Sequence, residues 1–364
     1  MNNIITYTET VLDSFAVRPF SDVDSLVLSC LAYLHLPEAL PEAYGKEGLP
    51  LYALFRAELF PQLLSATFTP EKTKKLLTAA VANPRFRDAR ISGYVSRLDN
   101  VSEIQFSAMT FHLTEALSFV AFRGTDTSLA GWKEDFNMAF QSPVPAQELA
   151  LAYLEDAAER CPGEIRLGGH SKGGNLAVYA AAFCSPALQN RIGKIYSHDG
   201  PGFLPAVLEH EGFARIHSRI EKTLPQSSVI GMLLEQQERF RVVQSRSVSL
   251  LQHDPFTWRV EKGAFVPVKK LTADARYVDS TLSAWLEKMS PAERERVVDS
   301  LFSIFSSNDI TDLEQLVTDW QKNLPAVAKT AVRMDSETRE FLGHALKELA
   351  VLSVKKAPEL FRRR

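Results

Sequence analysis

The stretch Glu164-Ile-Arg-Leu-Gly-Gly-His-Ser-Lys-Gly-Gly-Asn-Leu-Ala-Val-Tyr-Ala-Ala-Ala182 constrains the fold more than any other part of the chain. It starts as a short strand, narrows through glycines around Ser171, and leaves as a helix of small residues. A serine between a strand end and a helix start sits on a turn so tight that flanking side chains would strike the neighbouring strand or helix, and glycine at 169 and 173 removes that clash. Gly169-His-Ser-Lys-Gly173 therefore has the form of a nucleophile elbow. Such a turn lifts one hydroxyl out of the sheet and aims the first amides of the next helix at the same point, where negative charge is stabilised. Ala177, Ala180 and Ala181 let that helix lie close on the sheet.

The surrounding pattern supplies a sheet for this elbow. Ile104, Phe106 and Ala108 alternate with polar neighbours, and Leu117 to Phe122 is apolar apart from Ser118, so two strands are expected, joined near His112 to Glu115. Pro145 to Arg160 reads as a helix that Cys161-Pro-Gly163 stops just before the elbow strand. Arg191 to Tyr196 is a further strand, Glu209 to Ile220 a helix, Lys222 to Leu224 extended, and Phe240 to Leu251 contains another strand. Alternation of strand, helix and strand implies an α/β fold with a mostly parallel central sheet and right-handed crossovers.

Helices are expected on either side of this region. Ser21 opens one that runs to Leu34, and Pro70 sits in the first turn of a second that reaches Val81. Pro37 to Pro61 mixes Pro, Gly and aromatics without a clear period. Beyond Val268, Ser290-Pro-Ala-Glu293 and Thr311-Asp-Leu-Glu314 have capping-box spacing, and Ser336 to Val354 carries one apolar face. The expected division is residues 1–268, a core with an N-terminal helical segment, and 269–364, a C-terminal helical extension packed on it. Trp132 is expected to be a packing residue.

Composition excludes several classes. A net charge of -3 over 364 residues gives no electrostatic case for nucleic acid or an anionic membrane. Cys30, Cys161 and Cys184 are too few and too scattered for a disulfide framework or a metal cluster, so a reducing compartment is the default. The N-terminus lacks a basic region followed by an apolar core, and no apolar run is long enough to span a bilayer. A cytoplasmic chain without cofactor or metal is expected, and without a transmembrane segment.

A serine hydroxyl needs a base within hydrogen-bond reach, and the base needs an orienting acid. With a nucleophile elbow the usual chain order is serine, acid, histidine. His210 and His217 fall on a largely polar helix, His198 comes too early to leave room for an acid, and His344 lies in the distant tail. His253 follows an expected strand and opens a loop containing Pro255, which favours it as the base over a loop histidine that only binds backbone. Asp199 is the sole aspartate between Ser171 and His253 and ends the strand after the elbow helix. Its alternative role is to brace the turn at Gly200; Glu235 is the reserve acid, and Asp254 is too near His253 in sequence to approach its ring. The oxyanion hole would combine the backbone N–H groups of Lys172 and Thr125, with the Thr125 hydroxyl as a further donor. The Lys172 ammonium is expected to point to solvent.

At Phe122-Arg-Gly-Thr125 and Gly169-His-Ser-Lys-Gly-Gly174 together, the chain resembles the class 3 lipases of the α/β-hydrolase superfamily, closest to an uncharacterised bacterial branch. The resemblance covers roughly residues 100–260. It implies an α/β-hydrolase fold and a serine esterase or lipase acting on a small ester or lipid-like molecule, with Ser171 as nucleophile, Thr125 and Lys172 as oxyanion donors and a later histidine as base. Two departures stand out: the family usually has leucine where this chain has Lys172, and it places its aspartate in a segment resembling Leu224-Pro-Gln-Ser-Ser228, which holds no carboxylate here. Either the acid has moved to Asp199 or the triad is incomplete. The competing readings are a non-catalytic hydrolase-like binding scaffold, and a thioesterase or peptidase using the same triad.

Overall fold

The computed structural model describes residues 2–99, 104–126, 129–138, 140–234, 239–272, 290, 292–295, 298–299 and 302. Among these residues, eight strands form one sheet in sequence order: β1 (Leu49–Pro50), β2 (Arg90–Asp99), β3 (Ile104–Thr114), β4 (Leu117–Phe122), β5 (Glu164–His170), β6 (Ile192–His198), β7 (Ile220–Pro225) and β8 (Phe240–Val243). β1 to β4 pair antiparallel, and β4 to β8 are parallel. The helices are α1 (Ile4–Thr10), α2 (Asp22–Leu31), α3 (Phe60–Leu63), α4 (Pro70–Ala82), α5 (Leu129–Asn137), α6 (Pro145–Arg160) and α7 (Lys172–Phe183), followed by shorter ones at Pro186–Gln189, Pro205–Leu208 and Glu211–Ile216.

Period-2 alternation divides each buried strand between two cores. On β4, Phe119 and Ala121 face the N-terminal helices, where Leu26, Leu31, Leu76 and Leu77 are buried; Val120 and Phe122 face α6 and α7, against Leu154, Leu176 and Ala180. The N-terminal segment is thus a full layer over one sheet face. Its helices are well specified: Ser21 and Asp24 form a capping box at α2, and Pro70 occupies the first turn of α4.

Several expectations change in detail. β2 has no clear sequence signature because a bulge between Ser92 and Val95, with Gly93 at a φ of 60°, breaks its alternation. β3 continues through His112 to Thr114, so the turn before β4 is tighter than expected. The helix expected from Glu209 to Ile220 is only Glu211–Ile216, with His210 as its N-cap, and Ile220 already belongs to β7. Pro37–Pro61 resolves into three short 3-10 turns, β1 and the start of α3.

The Ser290 capping box forms: its N–H and hydroxyl donate to Glu293 at 2.8 and 2.7 Å. Val298 and Phe302 are buried, and this segment rests on α5 through a Lys133–Asp299 ion pair of 2.9 Å and a Phe136–Phe302 edge contact. The candidate helices at Thr311 and Ser336–Val354, His344, Glu235 and the Trp132 side chain lie outside the described residues.

Candidate active site

The parallel strands set the site by ending together. Register pairs His170 of β5 with His198 of β6, so the residues that follow, Ser171 and Asp199, leave neighbouring strand ends on the same edge. The Ser171 N–H donates to the His198 carbonyl at 2.9 Å, and the Asp199 N–H to the Thr223 carbonyl at 2.8 Å. Both residues have positive φ, 59° at Ser171 and 53° at Asp199. Such a backbone costs about 1–3 kcal/mol per non-glycine residue and persists only where packing dictates it. The glycines show how tightly: a Cβ at Gly169 would meet the Gly173 backbone, and one at Gly173 the Phe122 carbonyl.

Asp199 and His253 are in contact. His253 ends a 3-10 turn, Ser249–His253, that follows β8 by several residues, and its Nδ1 lies 2.7 Å from Asp199 Oδ2. The Asp199 side chain is 1% exposed and that of His253 is 27% exposed, so the acid is buried and the ring reaches solvent. With the carboxylate accepting, Nδ1 carries the proton and Nε2 is left with its lone pair. The other carboxylate oxygen, Oδ1, accepts a hydrogen bond from the Ser228 hydroxyl. Gly231 N–H donates to Ser228 Oγ at 3.1 Å, which turns the hydroxyl proton toward Asp199. Ser228 lies in the segment that holds no carboxylate of its own, and its role is not legible there because a serine just past a strand reads as turn chemistry.

The remaining candidates go elsewhere. Asp254 pairs with Lys72 of α4 at 2.7 Å and accepts the Phe256 N–H. His198 is fully buried with Nε2 3.0 Å from the Ser25 hydroxyl, and burial drives its pKa down to about 3. His210 caps its helix and stacks on Phe183. His217 packs beside Phe213.

His170 and Trp258 brace the turn that carries His253. His170 Nε2 is 2.8 Å from the His253 carbonyl, the two rings lie 4.6 Å apart, and Tyr33 Oη is 3.4 Å from His170 Nδ1. Burial and the neighbouring His253 hold the His170 pKa well below the usual histidine range. Trp258 Nε1 donates to the Gln252 carbonyl at 2.7 Å, and Gln252 Oε1 accepts the Ser227 N–H at 2.9 Å.

The β4–α5 loop abuts the elbow: a Cβ at Gly124 would lie 3.1 Å from that of Ser171. Two expectations fail here. The Thr125 hydroxyl donates to Asp135 of α5, so its single proton is committed away from a developing oxyanion. The Lys172 ammonium does not reach solvent: its side chain is 0% exposed, with Nζ 2.9 Å from Glu134 Oε2 and 2.8 Å from both the carbonyl and Oε1 of Gln105. The reason is a partner 38 residues earlier. Removing one member of a buried ion pair costs about 3–5 kcal/mol because the other charge stays behind.

A parallel half-sheet that delivers a serine on a strained strand-to-helix turn, with helices over both faces, is the α/β-hydrolase fold. Residues 80–303 match the family model described as Mbeg1-like, and the chain belongs to that family. Among solved structures, M37 lipase is similar at 14% identity over 59% of this chain and 70% of that one, with a TM-score of 0.38. Rhizomucor miehei lipase, in complex with its propeptide, is similar at 13% identity over 50% and 68%, with a TM-score of 0.33. Lipase II from Rhizopus niveus follows at 12% identity over 58% and 83%, with a TM-score of 0.34. No curated protein matches. No helix among the described residues is long and apolar enough to cross a membrane.

Proposed function

We propose that the chain is a serine hydrolase that cleaves a carboxylic ester of a small or lipid-like molecule, an intracellular relative of the class 3 lipases in their bacterial branch. Ser171 attacks the ester carbonyl while His253 Nε2 takes its proton; the tetrahedral oxyanion is held by the N–H groups of Lys172 and Thr125. The intermediate collapses to acyl-Ser171 as His253 returns the proton to the departing alcohol. Water then repeats the sequence and frees the acid. Asp199 keeps His253 in the tautomer that leaves Nε2 free and stabilises the imidazolium that forms.

The observation that carries this reading is the Asp199–His253 hydrogen bond of 2.7 Å at the sheet edge where the Ser171 turn emerges. A binding scaffold has no use for a buried carboxylate aligned on a partly exposed imidazole at that edge. The three buried, unpaired cysteines support a reducing compartment. The test is a fluorophosphonate probe with a p-nitrophenyl ester assay. Wild type is labelled and hydrolyses the ester, and Ser171→Ala does neither. An unlabelled, folded wild type rejects the reading.

A further inference from the structure

The two halves of the proposed oxyanion hole come from separate loops, one after β4 and one after β5. The Lys172 side chain leaves the residue whose N–H forms one half and reaches Glu134 on α5 at 2.9 Å. Next to Glu134 on the same helix, Asp135 accepts the hydroxyl of Thr125, the residue that forms the other half. Asp135 Oδ1, buried and without a hydrogen bond, lies 3.8 Å from Lys172 Nζ. Glu134 is braced in turn: its Oε1 accepts the Ala146 N–H at 2.9 Å, and its Oε2 the Gln105 N–H at 3.2 Å. One buried ammonium therefore joins the start of α7 to β3, to α5 and, through Glu134, to the start of α6.

We propose that the Lys172–Glu134 pair is a positioning device that sets the spacing of the two oxyanion donors, a role that rests on the hydrolase reading above. A long polar side chain beside a nucleophile ordinarily seeks solvent or substrate. Here all three protons of the ammonium have acceptors and none faces the cleft, so its charge is spent on holding α5 to the elbow. Oxyanion stabilisation depends on donors fixed in advance at the place where charge develops, so loosening this tie weakens transition-state binding and leaves ground-state binding intact.

The test compares wild type, Glu134→Gln and the double variant Lys172→Met/Glu134→Gln, each checked for folding by thermal unfolding. The double variant removes both charges and so avoids stranding one in the interior. The readouts are kcat and KM for a p-nitrophenyl ester and the Ki of an alkylboronic acid, which forms a tetrahedral adduct on serine. The expected result is a fall in kcat of about tenfold or more in the double variant, KM within about twofold, and a boronate Ki that rises in parallel. Glu134→Gln keeps the side-chain volume but strands the Lys172 charge, so it is expected to be the less stable of the two and, when folded, to lower kcat at least as far; if only one of the two variants folds, that one decides. Folded variants with wild-type kcat and Ki, in a wild type that reacts with fluorophosphonate, overturn the positioning role alone. A folded wild type that does not react overturns the hydrolase reading and this proposal with it.

Discussion

Asp199 Oδ2 and His253 Nδ1 lie 2.7 Å apart, although 54 residues separate them in the chain. The acid comes from the end of β6 and the imidazole from a turn beyond β8, and the turn after β7 contributes the Ser228 hydroxyl that holds the second carboxylate oxygen. Replacing Asp199 by Asn keeps the volume but lets the ring settle in the wrong tautomer. The expected loss in kcat is about 10³–10⁴-fold with KM little changed. Steady-state ester hydrolysis reads it, and an unchanged kcat removes Asp199 from the mechanism.

Ser228→Ala leaves one buried oxygen of Asp199 without its donor. A hydrogen bond to a charged group contributes about 1.5–3 kcal/mol, so kcat is expected to fall by about one to two orders of magnitude. Ser228→Thr keeps a hydroxyl and is expected to restore part of the loss. A kcat of Ser228→Ala equal to that of wild type argues against this.

Gly173→Ala drives a Cβ into the Phe122 carbonyl, and backbone on both sides cannot yield as a flexible side chain would. The expected cost is about 1–3 kcal/mol of stability, together with slower fluorophosphonate labelling as the elbow shifts. Denaturant unfolding and labelling kinetics check the two effects separately.

Acid sensitivity has an identifiable source in buried His198. In the unfolded chain it takes a proton near pH 6.5, whereas in the fold burial holds its pKa to about 3. The unfolded state therefore binds more protons between these values, and stability is lost as pH falls below 6.5 at up to about 1.4 kcal/mol per pH unit. His198→Phe keeps an aromatic ring against Tyr196, Trp258 and Phe265 and removes this contribution. Urea midpoints from pH 7 to 4 are expected to fall less steeply in the variant; parallel slopes contradict the assignment.

Asp135 works with the opposite sign. Burial raises its pKa to about 6, against the pull of Lys172 and the Thr125 hydrogen bond. The folded state then binds the extra proton, and this group lowers stability as pH rises from about 4 to 6. Asp135→Asn still accepts the Thr125 hydroxyl without the charge, so it is expected to gain on the order of 1–3 kcal/mol over wild type above pH 6, with the gap closing near pH 4. Unfolding free energies at pH 4.5 and 7.5 measure the difference.

The local sequence was enough for the elbow at Ser171, the strand ends on either side of it and the mostly parallel character of the sheet, because glycine spacing and hydrophobic period act over a few residues. It was also enough to single out Asp199 and His253 as candidates by chain order. It said nothing of the direction of the Lys172 side chain: Lys after Ser reads as polar surface, and its burial depends on Glu134 and Gln105, which reach it only once β3, α5 and α7 have packed. The roles of Ser228 and His170 were hidden for the same reason, since each acts through a partner distant in the chain. Periodicity decides which face a side chain takes. Which charge meets which, in an interior where an unpaired one is costly, is decided only by the assembled sheet and its crossovers.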